Sequence, residues 1–142
     1  MIADPILCYD VGYQVNDVAW APYSSTVFAL VTGDGAIGVF DIQLNKYRHI
    51  CRQKVITSGE GGLNRIACNT QEPIVVVGDT TGHIHSLKLS PNLRKRSKEA
   101  QAAVRNKERK KFLEMETRKL DQIVNQVMEP LARRDTDSDP EQ

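Results

Sequence analysis

A close pair of histidines, three cysteines, two glycine-bearing turns and one basic run are the residues of this chain whose types could do chemistry. His83 and His85 lie two apart, and on a strand that spacing sends both imidazoles to one face, the beginning of a metal site. No Cys, Asp or Glu stands near them at a usual ligand spacing, so a pair of ordinary strand residues is the simpler reading and no metal is expected. Cys8, Cys51 and Cys68 are odd in number and show no CxxC spacing. That argues against a disulfide framework and for small buried hydrophobes in a reducing compartment. Gly33-Asp34-Gly35 and Gly59-Glu60-Gly61-Gly62 precede no helix carrying a Lys-Ser/Thr pair, so neither is a phosphate cradle. They read as turns.

Arg94-Lys95-Arg96, with Lys107, Arg109, Lys110 and Lys111, is the composition of a nucleic-acid contact. Glu108, Glu114 and Glu116 interrupt the run, and Phe112 is its only aromatic residue. A solvated helix face explains it more simply, so nucleic acid is not an expected partner; contact with an acidic protein surface, such as a microtubule or a motor subunit, stays open. No pair of titratable groups combines a catalytic spacing with an activating neighbour, so neither enzymatic activity, a small-molecule substrate nor a cofactor is expected. Ser138-Asp139-Pro140-Glu141 matches an acidic phosphorylation pattern, which is common by chance in polar tails.

The elements that would carry these residues are set by a segment of about forty residues that occurs twice. Val15-Asn16-Asp17-Val18-Ala19-Trp20 aligns with Leu63-Asn64-Arg65-Ile66-Ala67-Cys68, and Val27-Phe28-Ala29-Leu30 with Ile74-Val75-Val76-Val77. Gly35-Ala36-Ile37-Gly38-Val39-Phe40-Asp41-Ile42 then meets Gly82-His83-Ile84-His85-Ser86-Leu87-Lys88-Leu89 without a gap. A period in the high forties built from short apolar runs is the mark of a radial or stacked β repeat. In the first copy, Ile6 to Val11, Val15 to Trp20, Val27 to Thr32 and Ala36 to Ile42 read as strands. Tyr47 to Val55, Leu63 to Cys68, Ile74 to Val77 and His83 to Leu89 repeat the scheme. Asp34-Gly35 and Thr81-Gly82 are the tight hairpins, since glycine tolerates the positive φ such turns need.

Four short strands per repeat, ending in an apolar-Asp pair, match the blade of a β-propeller. Phe40-Asp41 stands where such repeats carry Trp-Asp, and Leu87-Lys88 is a more decayed version. The fold class is therefore all-β: two WD40-type blades over 6–92 (repeats 6–42 and 47–89), followed by a helix. Closure takes roughly four to eight blades, so two repeats leave outer edges that need a partner or further sequence.

Beyond Pro91 the composition changes. Residues 1–92 carry six Lys/Arg against eight Asp/Glu, and residues 93–129 carry eleven against six. From Ser97 to Met128 there is no Pro or Gly and helix formers dominate, predicting an amphipathic helix over 97–129. Leu113, Leu120, Val124 and Val127 form its apolar stripe, which must be buried for the helix to be stable. Packing back on the propeller edge and docking to a partner subunit both satisfy that need. Pro130 ends or kinks the helix, and residues 130–142, polar and acidic, are expected to be disordered. Met1-Ile2-Ala3-Asp4-Pro5 has no basic n-region, and no apolar run approaches the ~20 residues of a membrane span. A cytosolic, membrane-free location is expected.

Asp17-Val18-Ala19-Trp20-Ala21-Pro22-Tyr23-Ser24-Ser25-Thr26-Val27-Phe28-Ala29 resembles the late propeller blades of axonemal dynein intermediate chains. So do Asn45-Lys46-Tyr47 with Ile50-Cys51, and Pro73-Ile74-Val75-Val76-Val77-Gly78-Asp79 continuing through Gly82-His83-Ile84 to Lys95. The likeness is nearest to the outer-arm type that pairs with a second, distinct WD-repeat intermediate chain. It implies a non-catalytic scaffold that holds dynein heavy chains together and helps seat the arm on axonemal microtubules of a cilium or flagellum. It assigns light-chain binding to no residue here. The alternatives are a WD-repeat adaptor of another cytosolic complex and a nucleic-acid-binding protein working through the basic helix.

Overall fold

The computed structural model describes residues 5–94, 102–103 and 105–136, with side chains up to residue 128. Strands β1 (Val15–Trp20), β2 (Val27–Thr32), β3 (Ala36–Asp41) and β4 (Cys51–Lys54) form one antiparallel sheet in that order. Strands β5 (Leu63–Cys68), β6 (Ile74–Asp79) and β7 (Ile84–Lys88) form a second. A 3-10 turn at Pro91–Arg94 precedes the helix α1, Arg109–Thr136. Two small meandering sheets followed by a helix are the architecture of two propeller-type blades with a C-terminal helix.

The sheets stack because strand periodicity gives each an apolar face. Val27, Ala29 and Val31 of β2, with Ile37 and Val39 of β3, pack in one cluster with Leu63, Ile66, Val75 and Val77 of the second sheet. Val31, Leu63, Val75 and Val77 are completely buried. Each such side chain contributes roughly 1.5–3 kcal/mol. The opposite face of the first sheet holds Phe28 stacked on Phe40 at 5.0 Å, with Trp20 edge-on to Phe28 at 5.5 Å. This is why β2 reads as an unbroken apolar run. Two hydrogen bonds lock the sheets along their first strands: Asn16 Nδ2 donates to the Leu63 carbonyl (2.7 Å), and the Ile66 amide donates to Asp17 Oδ2 (3.0 Å).

Ile6 to Val11 forms no strand. In the second copy the corresponding segment is β4, which pairs with β3 of the preceding repeat. The first strand of each repeat thus completes its predecessor's sheet, and among the described residues Ile6–Val11 has no predecessor to complete. Instead it lays Tyr9 edge-on over Phe28 and Phe40. β4 is also shorter than the expected 47–55, because Asn45 Oδ1 accepts from the Tyr47 and Arg48 amides and makes that stretch a turn. His83 belongs to a turn rather than to β7, its amide donating to Asp79 Oδ1.

The helix boundaries differ from 97–129 at both ends. Ala102, Ala103 and Arg105 are helical, but Lys107 takes a φ of 58°, and that left-handed residue separates them from α1. Residues 95–101 and 104 lie outside the described residues. At the other end α1 continues past Pro130 to Thr136. A proline inside a helix forfeits one backbone bond and costs about 3 kcal/mol, yet the helix runs through it. Residues 130–136 are therefore helical rather than part of a disordered tail; residues 137–142, with the Ser138 pattern, lie outside the described residues.

Candidate docking surface

The four hairpin residues sit in two turns built differently. Gly35, between β2 and β3, has a φ of 84°, and Gly82, between β6 and β7, has a φ of 91°. Asp34 accepts from the Thr32 hydroxyl and from the Arg52 guanidinium, with Lys54 at 3.8 Å. Burial alone would raise its pKa, but these donors and cations hold it below the ordinary carboxylate value. In the second turn Thr81 is the exposed apex, and Asp79, at the end of β6, does the work of Asp34. It accepts from the Thr81 amide and hydroxyl, the His83 amide and His85 Nε2 at 2.8–3.1 Å.

Asp79 is the carboxylate that ligand spacing did not reveal beside His83 and His85. Its His83 contact is 3.3 Å and its His85 contact 3.1 Å. Its oxygens already serve the turn, and although burial raises its pKa, those hydrogen bonds hold the carboxyl far below the usual range. Among the described residues no group of three or more His, Cys, Asp or Glu is arranged to hold a metal. The cluster is a turn lock.

The longer-range chemistry lies where α1 meets the first sheet. The loop between β1 and β2 is held from within: Tyr23 Oη donates to the Leu93 carbonyl (3.0 Å), and the fully buried Thr26 donates to Asp41 Oδ1 (2.9 Å). Between them Ser25 faces the helix. Its amide donates to Glu116 Oε2 at 2.7 Å. Its hydroxyl lies 2.8 Å from the same oxygen and 3.0 Å from the Glu116 carbonyl, sharing its proton between them. Lys119 Nζ reaches Ser24 Oγ (3.2 Å) and Glu116 (3.5 Å). Further along, Lys46 Nζ donates to Gln126 Oε1 (3.0 Å). A cleft of about 440 Å³ remains between loop and helix, lined by Tyr23, Val27, Leu93 and Met115 among others.

The expected stripe of Leu113, Leu120, Val124 and Val127 is split by this docking. Val124 and Val127 are half-buried, as are Phe112, Met115, Glu116 and Lys119, and Ile123 is buried. Leu113 is 53% exposed, Leu120 37% and Met128 39%, forming an outer apolar row. Hydrophobic periodicity missed Glu116 and Lys119 because they are charged. Their only sequence signal is that a Glu and a Lys three apart share a helix face. Lys107, Arg109, Lys110 and Lys111 are exposed, and Lys111 pairs with Glu108 at 3.6 Å. No helix among the described residues is long and apolar enough to cross a membrane.

No protein-family model matches the chain. It is 49% identical over 126 residues to the ciliary dynein intermediate chain 2 of Heliocidaris crassispina, covering 89% of this chain and 17% of that protein. It is 41% identical over 119 residues to the 78 kDa intermediate chain of the flagellar outer-arm dynein of Chlamydomonas reinhardtii, covering 84% and 16%. Against the bovine dynein axonemal intermediate chain 1 the identity is 47% over 128 residues, covering 90% and 18%. The chain thus spans less than a fifth of the length of the curated relatives it matches.

Proposed function

From its homology to the axonemal dynein intermediate chains, the flagellar outer-arm type among them, we propose that this chain is a non-catalytic scaffold subunit of a ciliary dynein arm. The observation that carries the reading is the length of the match, which runs across both sheets and into the helical segment. In this role the two blades are a rigid platform and α1 is the docking element. Its partners are dynein heavy chains and a second WD-repeat intermediate chain, on the microtubules of the axoneme. The outer row of Leu113, Leu120 and Met128 supports the reading, because it leaves apolar side chains outward on a helix already anchored by its other side.

The test is recovery of dynein subunits from axonemal extract at high salt, by the wild-type chain and by the double variant Leu113→Asp, Leu120→Asp. Both positions are exposed, so the variant should keep its fold while losing the heavy chain and the second intermediate chain. High salt removes the contribution of exposed ion pairs, each about 0–1 kcal/mol. Equal recovery by both proteins would reject the outer row as the docking surface. Recovery of subunits from a different complex would favour the adaptor reading.

A further inference from the structure

The cleft between α1 and the first sheet is walled by the β1–β2 loop, the β3–β4 loop, the 3-10 turn and the helix itself. Tyr23 and Val27 are its most buried lining residues, with Ile50, Leu93 and Met115 beside them. Its volume of about 440 Å³ falls within the roughly 300–1,000 Å³ of binding clefts. The lip is apolar as well. Leu44 lines the cleft and is 72% exposed, and Tyr47, three residues on, is 89% exposed.

The turn that carries these two side chains has its backbone already committed. Asp41 Oδ1 accepts from the Gln43 amide (2.9 Å), and the Asp41 carbonyl accepts from the Leu44 and Asn45 amides (3.1 and 2.9 Å). Asn45 Oδ1 then accepts from the Tyr47 amide (2.9 Å). Two large apolar side chains are thus held out in water beside a cleft by an ordered turn. Little ordering entropy is left to lose when a partner covers them, which is the economy of a preorganised contact.

The electrostatics select what covers them. Asp41, Glu116, Arg118 and Lys119 are the charged residues lining the cleft. Both carboxylates are in use: Asp41 accepts from the Thr26 hydroxyl and the Gln43 amide, and Glu116 accepts from Ser25 and pairs with Lys119. Arg118 is exposed, and its side chain has no hydrogen bond or ion pair with a described residue. Lys46, between Leu44 and Tyr47 in the chain, spends its ammonium on the neutral Gln126. Glu114, one turn before Arg118, is exposed and does not line the cleft. The charge left to offer an incoming group is positive.

We propose that this cleft takes an acidic segment of a second protein that carries a large apolar side chain. The apolar side chain enters beside Leu44 and Met115, and the flanking carboxylates meet Arg118 and Lys46. The planar guanidinium of Arg118 suits a carboxylate, which it can hold through two parallel hydrogen bonds. At 3.6 residues per turn, Met115 and Arg118 lie roughly 140–200° around α1 from Leu113. The helix therefore presents partner surfaces on two flanks, and this one is distinct from the row of Leu113 and Leu120. The inference does not rest on the dynein reading, since it concerns the chemistry of the cleft and not the complex that supplies the segment.

The test is a heteronuclear NMR titration of the isotope-labelled full chain with a synthetic peptide, a Leu-Phe pair flanked on each side by two glutamates. The amide signals of Leu44, Tyr47, Met115 and Arg118 should shift and saturate. Arg118→Glu and Leu44→Ser change exposed positions, so hydrogen exchange of the α1 amides should stay at the wild-type rate while each weakens binding roughly tenfold or more. Exchanging the glutamates of the peptide for lysines, or its Leu-Phe pair for two serines, should cost a similar factor. The double variant Leu113→Asp, Leu120→Asp should bind the peptide like the wild type, so failure of the outer row and failure of the cleft are read separately. The proposal is overturned by shifts that do not saturate, by shifts confined to other residues, or by affinity unchanged in both single variants. Tighter binding of a single-stranded oligouridylate than of the peptide also overturns it, by making these cations a nucleic-acid contact.

Discussion

Replacing Glu116 with Ala should free α1 from the first sheet while both sheets stay folded. The Glu116 side chain is 12% exposed and takes the Ser25 amide at 2.7 Å and the Ser25 hydroxyl at 2.8 Å. A hydrogen bond to a charged group contributes about 1.5–3 kcal/mol. Two on one carboxylate do not simply add. The Ser25 hydroxyl keeps the Glu116 carbonyl, and its amide regains water, so a combined loss of about 2–4 kcal/mol is expected. At 1.4 kcal/mol per tenfold change, the detached population should rise roughly 30- to 700-fold. Hydrogen exchange of the α1 amides, or tryptic cleavage after Arg118 and Lys119, reads that population directly when reclosing is fast. Glu116→Gln, which keeps an acceptor but no charge, should fall between wild type and Ala. Leu113→Ala, on the exposed row, should change nothing. If Glu116→Ala and Leu113→Ala protect the helix equally well, the carboxylate does not hold it and the reasoning fails.

The two hairpin glycines should differ in sensitivity. An added Cβ at Gly35 would meet Ile56 Cβ at 2.8 Å, whereas at Gly82 nothing lies within 4 Å. Both substitutions to Ala strain a positive φ, at about 1–2 kcal/mol, and only Gly35→Ala adds overpacking, about 1–3 kcal/mol; a urea midpoint lowered more by Gly82→Ala would contradict this. Acid should act late. Asp34 and Asp79 are held below the ordinary carboxylate pKa, so the stability they contribute is complete above about pH 4 and lost as pH falls through their lower native values. Urea midpoints measured from pH 7 downward should stay level with respect to these two groups to about pH 4 and then fall, more shallowly in Asp79→Asn. A fall already complete by pH 5 would mean other groups set the acid limit.

The hairpins were legible because their signal is local: alternation on either side of an Asp-Gly or Thr-Gly pair leaves one compact solution. The self-alignment carried the stacking as well, since equivalent positions in two repeats face equivalent ways. What could not be read locally was whatever depends on a partner. Ile6–Val11 has the composition of a strand, yet a strand exists only where a neighbour takes its hydrogen bonds. The docked side of α1 was hidden for another reason. Periodicity counts apolar residues, and Glu116 and Lys119, which make the hydrogen bonds to the β1–β2 loop, are invisible to it. The carboxylate of Asp79 escaped because it precedes His83 by a turn, and only the hairpin brings it beneath both imidazoles.

The two anchors of α1 yield a last prediction. Ser24 and Ser25 lie between β1 and β2, and Lys46 lies between β3 and β4. Both loops are at the same end of the first sheet, so α1 crosses strand ends, held at Glu116 by Ser25 and at Gln126 by Lys46. The Glu116 side chain is 12% exposed, whereas the Lys46–Gln126 bond is exposed. An exposed bond competes with water and contributes about 1 kcal/mol at most. Lys46→Ala should therefore leave hydrogen exchange of the α1 amides near the wild-type rate, while Glu116→Ala raises it. If Lys46→Ala frees the helix as much as Glu116→Ala does, the exposed contact and not the shielded carboxylate holds α1, and this account of the docked side is wrong.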